Sequence, residues 1–397
     1  MKVLIAEDDQ ISSKLLERTL VNWDYEVIKA SDGLEALHIL NEQTDIPLLI
    51  TDWMMPELDG VELSKRARQQ KRDNYLYIIM LTAKGEKEDF FRGMEAGIDN
   101  FITKPFDKTE LKAHLIVADR IISLEKQLSK SIEELTTANN KIKQDLRLAS
   151  NIQKSLLPKD MPFAPGFEFS WYFNSCDEIG GDMFNLFRLD ENNIGLYLLD
   201  VSGHGVQAAL LSVSLSQTLN PQTLSSGILK KKVPYPPYYK LSSPNEVAKE
   251  LNARFPVLSM SKQFFTFVYG ILNVSDKTFK YVRCGHQKPI LVNKGKLSFL
   301  ESPGGLPIGM FDEVDYNEYT VQLSAGDTLI LYTDGLEESF DENKEQFGIE
   351  RIIDHLSINN TQNISEIIDD LQKKAKEFSN TVAQQDDITI VGFRVLK

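Results

Sequence analysis

Over the first 120 residues short apolar runs alternate with stretches of helical periodicity, and this alternation leaves few folds open. Val3 to Ala6, Tyr25 to Lys29, Leu48 to Thr51, Tyr77 to Leu81 and Asn100 to Thr103 are the candidate strands. Helical segments between successive strands predict a five-stranded parallel sheet, doubly wound, with helices on both faces. In such α/β sheets function gathers at the carboxyl ends of the strands. Glu7, Asp8, Asp52, Thr82 and Lys104 all fall at or just past those ends.

These residues suit one chemistry. A carboxylate is a poor nucleophile toward phosphate because both are anionic, so the reaction needs a divalent cation with further oxygen ligands. Glu7 and Asp8 supply an acidic pair and Asp52 a third carboxylate, a set fit for Mg²⁺. Lys104 can neutralise the remaining phosphoryl charge, and the Thr82 hydroxyl can donate to a phosphoryl oxygen. Singly, each is an ordinary strand-end residue; five in order on strand ends are hard to produce by accident. Together they resemble the receiver domain of two-component response regulators, over residues 1–120. The resemblance implies that Asp52 takes phosphate from a sensor histidine kinase and that the backbone carbonyl of Met54 completes the metal shell. It also implies a cis peptide at Lys104-Pro105, a switch role for Thr82 and Phe101, and Asp9 as a helix N-cap rather than a ligand. Phosphorylation would draw Thr82 inward and let Phe101 bury, altering the face beside the next segment.

Residues 121–157 are polar, charged and free of Gly and Pro. Ile121, Leu128, Leu135, Ile142, Ala149 and Leu156 recur every seven residues, as along one stripe of a coiled coil. The companion stripe, Leu124, Ser131, Ala138, Asp145 and Ile152, is poor. The segment reads either as one long helix packing on its own domains or as a weak coiled coil that makes a homodimer. A marginal pairing suits a signalling linker, because small energies can change it.

Residues 158–397 carry short alternating runs of Val, Ile, Phe and Tyr with helical stretches between, which predicts an α+β sandwich of antiparallel sheets. Asp182, Asp200, Asp334 and Asp386 stand at turns, and Asp200 and Asp334 each end an apolar run. Clustered carboxylates repel one another without a metal, and all-oxygen ligands favour Mg²⁺ or Mn²⁺ over zinc, so a two-metal site is the economical reading. The motifs G-G-D at 180–182, D-V-S-G-H-G at 200–205, C-G-H at 284–286, G-L-P-I-G at 305–309, Y-T-D-G-L-E-E at 332–338 and D-D-I-T at 386–389 occur in order. They resemble the PPM family of metal-dependent serine/threonine phosphatases, in its SpoIIE-type branch. By that resemblance Asp182, Asp200, Asp334 and Asp386 hold two Mn²⁺ or Mg²⁺ ions, Asp200 bridges them, and the Val201 carbonyl is a further ligand. Asn185 departs from the acidic residue common in the branch. His204 and His286 are read as packing and turn residues rather than proton donors, and Ser202 as structural. The proline-rich stretch 220–245, around Lys230-Lys231-Lys232, reads as a solvated insertion, with a substrate-docking loop as the alternative.

Composition narrows the function. A net charge of −14 over 397 residues argues against a broad nucleic-acid or anionic-membrane surface. Cys176 and Cys284 are too few for a disulfide framework. No apolar run approaches membrane-spanning length, and the first strand runs straight into Glu7-Asp8-Asp9, so a cytoplasmic protein without membrane insertion is expected. The whole reads as a receiver controlling a phosphatase. Its substrate, by resemblance, is a phosphorylated STAS-domain anti-sigma-factor antagonist. The rival is a phosphorylation-controlled adaptor with an inert phosphatase-like domain, which loss of the acidic quartet would favour; all four are present.

Overall fold

The structure is a computed structural model and describes every residue except 71, 73, 84–86, 223–226, 257–262, 294–295, 303, 359–362 and 397. It divides into two units, Met1–Asn140 and Lys141–Lys397.

The first unit runs β1 (Lys2–Ala6), α1 (Gln10–Val21), β2 (Glu26–Ala30), α2 (Gly33–Glu42), β3 (Leu48–Asp52), α3 (Gly60–Gln69), β4 (Tyr77–Thr82), α4 (Lys87–Glu95), β5 (Asn100–Thr103) and α5 (Lys108–Ser155). The strands form one parallel sheet in the order β2-β1-β3-β4-β5, as the alternation predicts. Val3 to Ala6 and Leu48 to Ile50 are buried because helices cover both faces, which explains their unbroken apolar character. Asp9, Asp32 and Asp59 cap α1, α2 and α3, each accepting from a backbone N–H inside the first turn. Asp9 therefore has the capping role expected of it. Lys104-Pro105 is cis.

Helix α5 belongs to both units. Its residues up to Ala118 include core positions of the receiver sheet, Leu111 and Leu115. Beyond them Leu124, Leu128, Leu135, Ile142 and Ile152 are all exposed. Ser150 and Gln153 are buried, and so is Leu157 just after the helix. Leu156, the last member of the heptad stripe, lies past the helix end.

The second unit continues with β6 (Phe167–Asn174), β7 (Met183–Arg188), β8 (Asn193–Val201), α6 (Val206–Thr218), β9 (Lys230–Lys232), β10 (Tyr239–Leu241), α7 (Pro244–Arg254), β11 (Phe265–Asn273), β12 (Thr278–Cys284), β13 (Ile290–Asn293) and β14 (Lys296–Phe299). It ends with β15 (Glu318–Gln322), β16 (Thr328–Tyr332), α8 (Asp334–Glu337), α9 (Gly348–Ile358), α10 (Ile364–Ser379) and β17 (Ile388–Val395). Two antiparallel sheets, β15-β12-β11-β8-β7 and β14-β13-β16-β17-β6, make the sandwich. Alternation along β16 and β17 assigns the two faces of the second sheet. Leu329, Leu331, Val391 and Phe393 point into the core shared with the first sheet. Ile330, Tyr332 and Ile390 point the other way, into a core made with α9 and α10.

The 220–245 stretch lies partly outside the described residues, and what is described is more ordered than a solvated insertion. Lys230 to Lys232 pair with Tyr239 to Leu241 in a short hairpin, and Ile228 and Leu229 are buried at its base. Pro244 is not part of an insertion at all: it opens α7 behind a Ser243/Glu246 capping box.

Candidate functional site

In the first unit the strand ends bring the expected side chains together. Among the described residues, Glu7, Asp8 and Asp52 form the one group of three whose ligand oxygens lie within 4.8 Å of one another. Lys104 Nζ donates to Glu7 Oε2 at 2.7 Å and sits 2.8 Å from Asp52 Oδ2. Burial pushes the Glu7 carboxyl above its ordinary range, with Lys104 opposing and Asp52 adding to the shift. Burial also works against the charge of Lys104, but Asp52 and Glu7 outweigh it and hold the ammonium above its usual value. The Trp53 N–H donates to Asp52 Oδ1. Thr82, at the end of β4, donates to the carbonyl of Ala83 at 2.7 Å. Phe101 is half-buried, its ring 4.6 Å from Phe90 and 6.4 Å from Trp53 between centroids. Met54 lies in the loop after β3 with its side chain exposed.

In the second unit the topology carries four aspartates to one end of the sandwich. Asp200 is at the finish of β8, and Asp182 immediately precedes β7, its antiparallel neighbour. Asp334 follows β16 and Asp386 precedes β17, antiparallel neighbours in the other sheet. Asp182 is almost fully buried, and its Oδ2 accepts from Thr333 Oγ1 at 2.8 Å and Thr389 Oγ1 at 2.5 Å. Its Oδ1 is buried with no hydrogen-bond partner. Burial holds Asp182 far above the usual carboxylate range, and Asp200 and Asp387 add to it. Asp200 is raised likewise by burial, then by Asp334 and Asp386. Asp334 and Asp386 are raised too, burial first in each case.

An orphaned carboxylate oxygen beside mutually repelling acids is what a cation corrects, and the donors are all hard oxygens. The residues therefore fit Mg²⁺ or Mn²⁺. Among the described residues no three carboxylates of this quartet bring ligand oxygens within 4.8 Å of one another as Glu7, Asp8 and Asp52 do. Val201 ends β8, and its carbonyl oxygen faces Gly181, where a Cβ would stand 2.9 Å away. Glycine is thus required for the G-G-D loop to pass that carbonyl.

Four residues of this site were not singled out from the sequence. Asp387, the second acid of D-D-I-T, accepts from the Cys176 N–H (2.9 Å) and the Asp182 N–H (3.2 Å), and its carboxylate fills the space a Cβ on Gly180 would need. Thr333 and Thr389 fix the inner oxygen of Asp182. Gln153, in the last turn of α5, donates to the Gly180 carbonyl at 2.7 Å and accepts from the Gly180 N–H at 3.3 Å. The duplicated acid and the flanking threonines were visible within their motifs, whereas a lone Gln in a polar helix carries no signal. His204 is exposed, with Nδ1 3.0 Å from Asp177 Oδ2. His286 is fully buried against Thr266 and its pKa is pushed down to about 3, burial being the main cause, so it is neutral. Ser202 exchanges hydrogen bonds with Phe264. Asn185 lies in β7 opposite Tyr197.

Fold and site together define a response-regulator receiver joined to a PPM-type protein serine/threonine phosphatase domain. Residues 190–396, just over half of the chain, match the family model for stage II sporulation protein E (SpoIIE), and the chain belongs to that family. Residues 3–116 match the response regulator receiver domain. The phosphoserine phosphatase RsbP of Bacillus subtilis is 26% identical over 194 residues, 49% of this chain and 45% of RsbP. A chemotaxis protein CheY homolog of Campylobacter jejuni is 37% identical over 116 residues, 29% of this chain and 89% of that protein. The SiaA-PP2C domain of Pseudomonas aeruginosa shares the fold at a TM-score of 0.55 and 22% identity, over 65% of this chain and 98% of that one. Among the described residues no helix is long and apolar enough to cross a membrane.

Proposed function

We propose that phosphorylation of Asp52 by a sensor histidine kinase controls hydrolysis of phosphoserine or phosphothreonine at the C-terminal site. The protein substrate is a STAS-domain anti-sigma-factor antagonist, and the setting is cytoplasmic. In the receiver, Glu7, Asp8, Asp52 and the Met54 carbonyl hold Mg²⁺, Lys104 and Thr82 meet the phosphoryl oxygens, and Phe101 follows Thr82 inward. In the phosphatase, Asp182, Asp200, Asp334, Asp386 and the Val201 carbonyl would hold two Mn²⁺ or Mg²⁺ ions. The metal pair supplies Lewis acidity toward water and phosphate.

The surrounding residues keep that site aimed. Thr333 and Thr389 occupy one oxygen of Asp182 and leave the other free, and Asp387 pins the loop that carries it. The unpartnered Asp182 Oδ1 is the observation that carries the reading. The name of RsbP, a phosphoserine phosphatase, supports the substrate class. Control by the receiver is supported by α5, whose last turn is hydrogen-bonded to Gly180, two residues before Asp182. Its exposed apolar side chains support a homodimer through the helix. The functional divisions are a receiver at 1–120, a linker at 121–157 and a phosphatase at 158–397.

The test is Mn²⁺-dependent hydrolysis of a phosphoserine STAS-domain protein by the native chain, Asp200→Ala and Asp52→Ala, with and without a small phosphodonor. Turnover lost in Asp200→Ala, and a phosphodonor effect lost in Asp52→Ala, are the expected results. Substrate binding without turnover by the native chain would mean an adaptor instead.

A further inference from the structure

Beside Asp386 the phosphatase unit contains a cavity of about 230 Å³ that holds neither the reacting phosphate nor a metal in the reading above. Its apolar part includes Tyr172 of β6, Ala375 of α10 and Ile388 of β17. Its polar part is made largely of amides, including Gln372 on α10, Asn380 at the helix end and Gln384. Glu338 and Asp386 contribute acids, and Lys376 contributes one cation.

The wall toward Asp386 is fixed by the chain itself. Gln384 Nε2 donates to the carbonyls of Asn174 (2.9 Å) and Asp386 (2.7 Å), so the cavity wall and the Asp386 backbone form one piece. Asn380, where α10 turns back toward this wall, adopts φ +44° and ψ −99°, a backbone region that side-chain-bearing residues rarely occupy. A sharp reversal at that position delivers residues 381–386 to the cavity rim.

We infer that this cavity is the subsite for one bulky, uncharged side chain of the phosphoprotein, one or two residues from the phosphorylated serine or threonine. The inference rests on the phosphatase reading and deepens it. Size supports it, because an apolar cavity of about 150 Å³ already holds a benzene ring. Charge supports it as well: acids and a lysine face the same space, so neither a basic nor an acidic side chain is favoured throughout. The amides suit the peptide backbone on either side of the inserted residue, since each offers a donor and an acceptor. Position supports it most. Asp386 lines the cavity and also belongs to the carboxylate cluster, so the two adjoin, and an extended peptide advances about 3.3 Å per residue.

The experiment compares kcat/KM on phosphoserine peptides that differ at one flanking position, Phe or Leu against Ala or Glu. It uses the full chain with Mn²⁺ and runs p-nitrophenyl phosphate alongside as a substrate without flanking residues. At one flanking position the native chain is expected to prefer the bulky peptide by about tenfold or more, the scale of a filled against an empty apolar pocket. Gln372→Trp and Ser379→Trp, which fill the cavity from α10, are expected to bring that ratio close to one. Two variants are used, with thermal melts, so that misfolding of one does not decide the result. A flat native profile at every position, with p-nitrophenyl phosphate turned over, overturns the subsite and leaves the phosphatase standing. So does a preference unchanged in both folded variants. No turnover of any phosphoester overturns the phosphatase reading, and the subsite falls with it.

Discussion

Replacing Gln153 by Leu keeps the bulk of the side chain and removes its amide. Gln153 is 3% exposed, and its amide pairs with both the carbonyl (2.7 Å) and the N–H (3.3 Å) of Gly180, while also reaching Ser212 Oγ at 3.1 Å. Ser212 keeps a partner, since its hydroxyl donates to the Ala209 carbonyl. The Gly180 backbone loses both of its bonds to Gln153. An unsatisfied buried polar group costs roughly 1–3 kcal/mol, so the two together should lower stability by roughly 2–6 kcal/mol. In a domain of this size that is a fall in Tm of about 4–24 °C. Trp171 is the one tryptophan of the second unit, so fluorescence in a Trp23→Phe, Trp53→Phe background reports that unit alone. The loosened loop carries Asp182, so the Mn²⁺ concentration for half-maximal activity should rise in parallel. Lys154→Leu, one exposed residue further on, is the control and should move Tm little. A Tm within 1 °C of native together with an unchanged Mn²⁺ requirement, in folded Gln153→Leu, would refute the idea that α5 holds the Gly180 loop.

Lys104→Met should destabilise the first unit in metal-free buffer by roughly 3–5 kcal/mol, because it leaves buried Glu7 and its neighbour Asp52 without their cation. Mg²⁺ should restore part of that loss in a urea titration. Asp387→Ala removes the acceptor for the N–H groups of Cys176 and Asp182, and should weaken Mn²⁺ binding by about 10–100-fold in a calorimetric titration. His286 is neutral in the fold, with a pKa of about 3, and titrates near its ordinary value when unfolded. Its contribution is therefore fully present above about pH 6.5 and is lost as pH falls toward 3, at up to about 1.4 kcal/mol per unit. His286→Gln should flatten the difference in stability between pH 7 and pH 5 relative to native, and an identical pH slope in both proteins would count against the buried neutral imidazole.

The receiver was legible because its chemistry and its fold share one rule. In a parallel sheet each strand ends at the same edge, so residues at strand ends in the sequence are neighbours in space. Glu7, Asp8, Asp52 and Lys104 could be gathered without any knowledge of long-range packing, and the structure gathers them. The phosphatase quartet needed more. Strand direction alternates there, so Asp182 and Asp386 precede their strands while Asp200 and Asp334 close or follow theirs, and only motif resemblance told which ends coincide. What stayed hidden depends on pairs remote in sequence. Gln153 meets Gly180, Asp182 meets Thr389, and Asp387 meets Cys176; in each case one partner is an ordinary polar residue whose role exists only once the other is in place. The heptad stripe of α5 drew the eye to its apolar positions, yet the buried contact that ends the helix is made by a glutamine off that stripe. The exposed apolar stripe of α5 and the buried amide at its end are different residues, so the two are separable by mutation. Altering exposed Leu128 and Leu135 should change self-association, measured by analytical ultracentrifugation, and leave the Tm reported by Trp171 in place. Altering Gln153 should do the reverse.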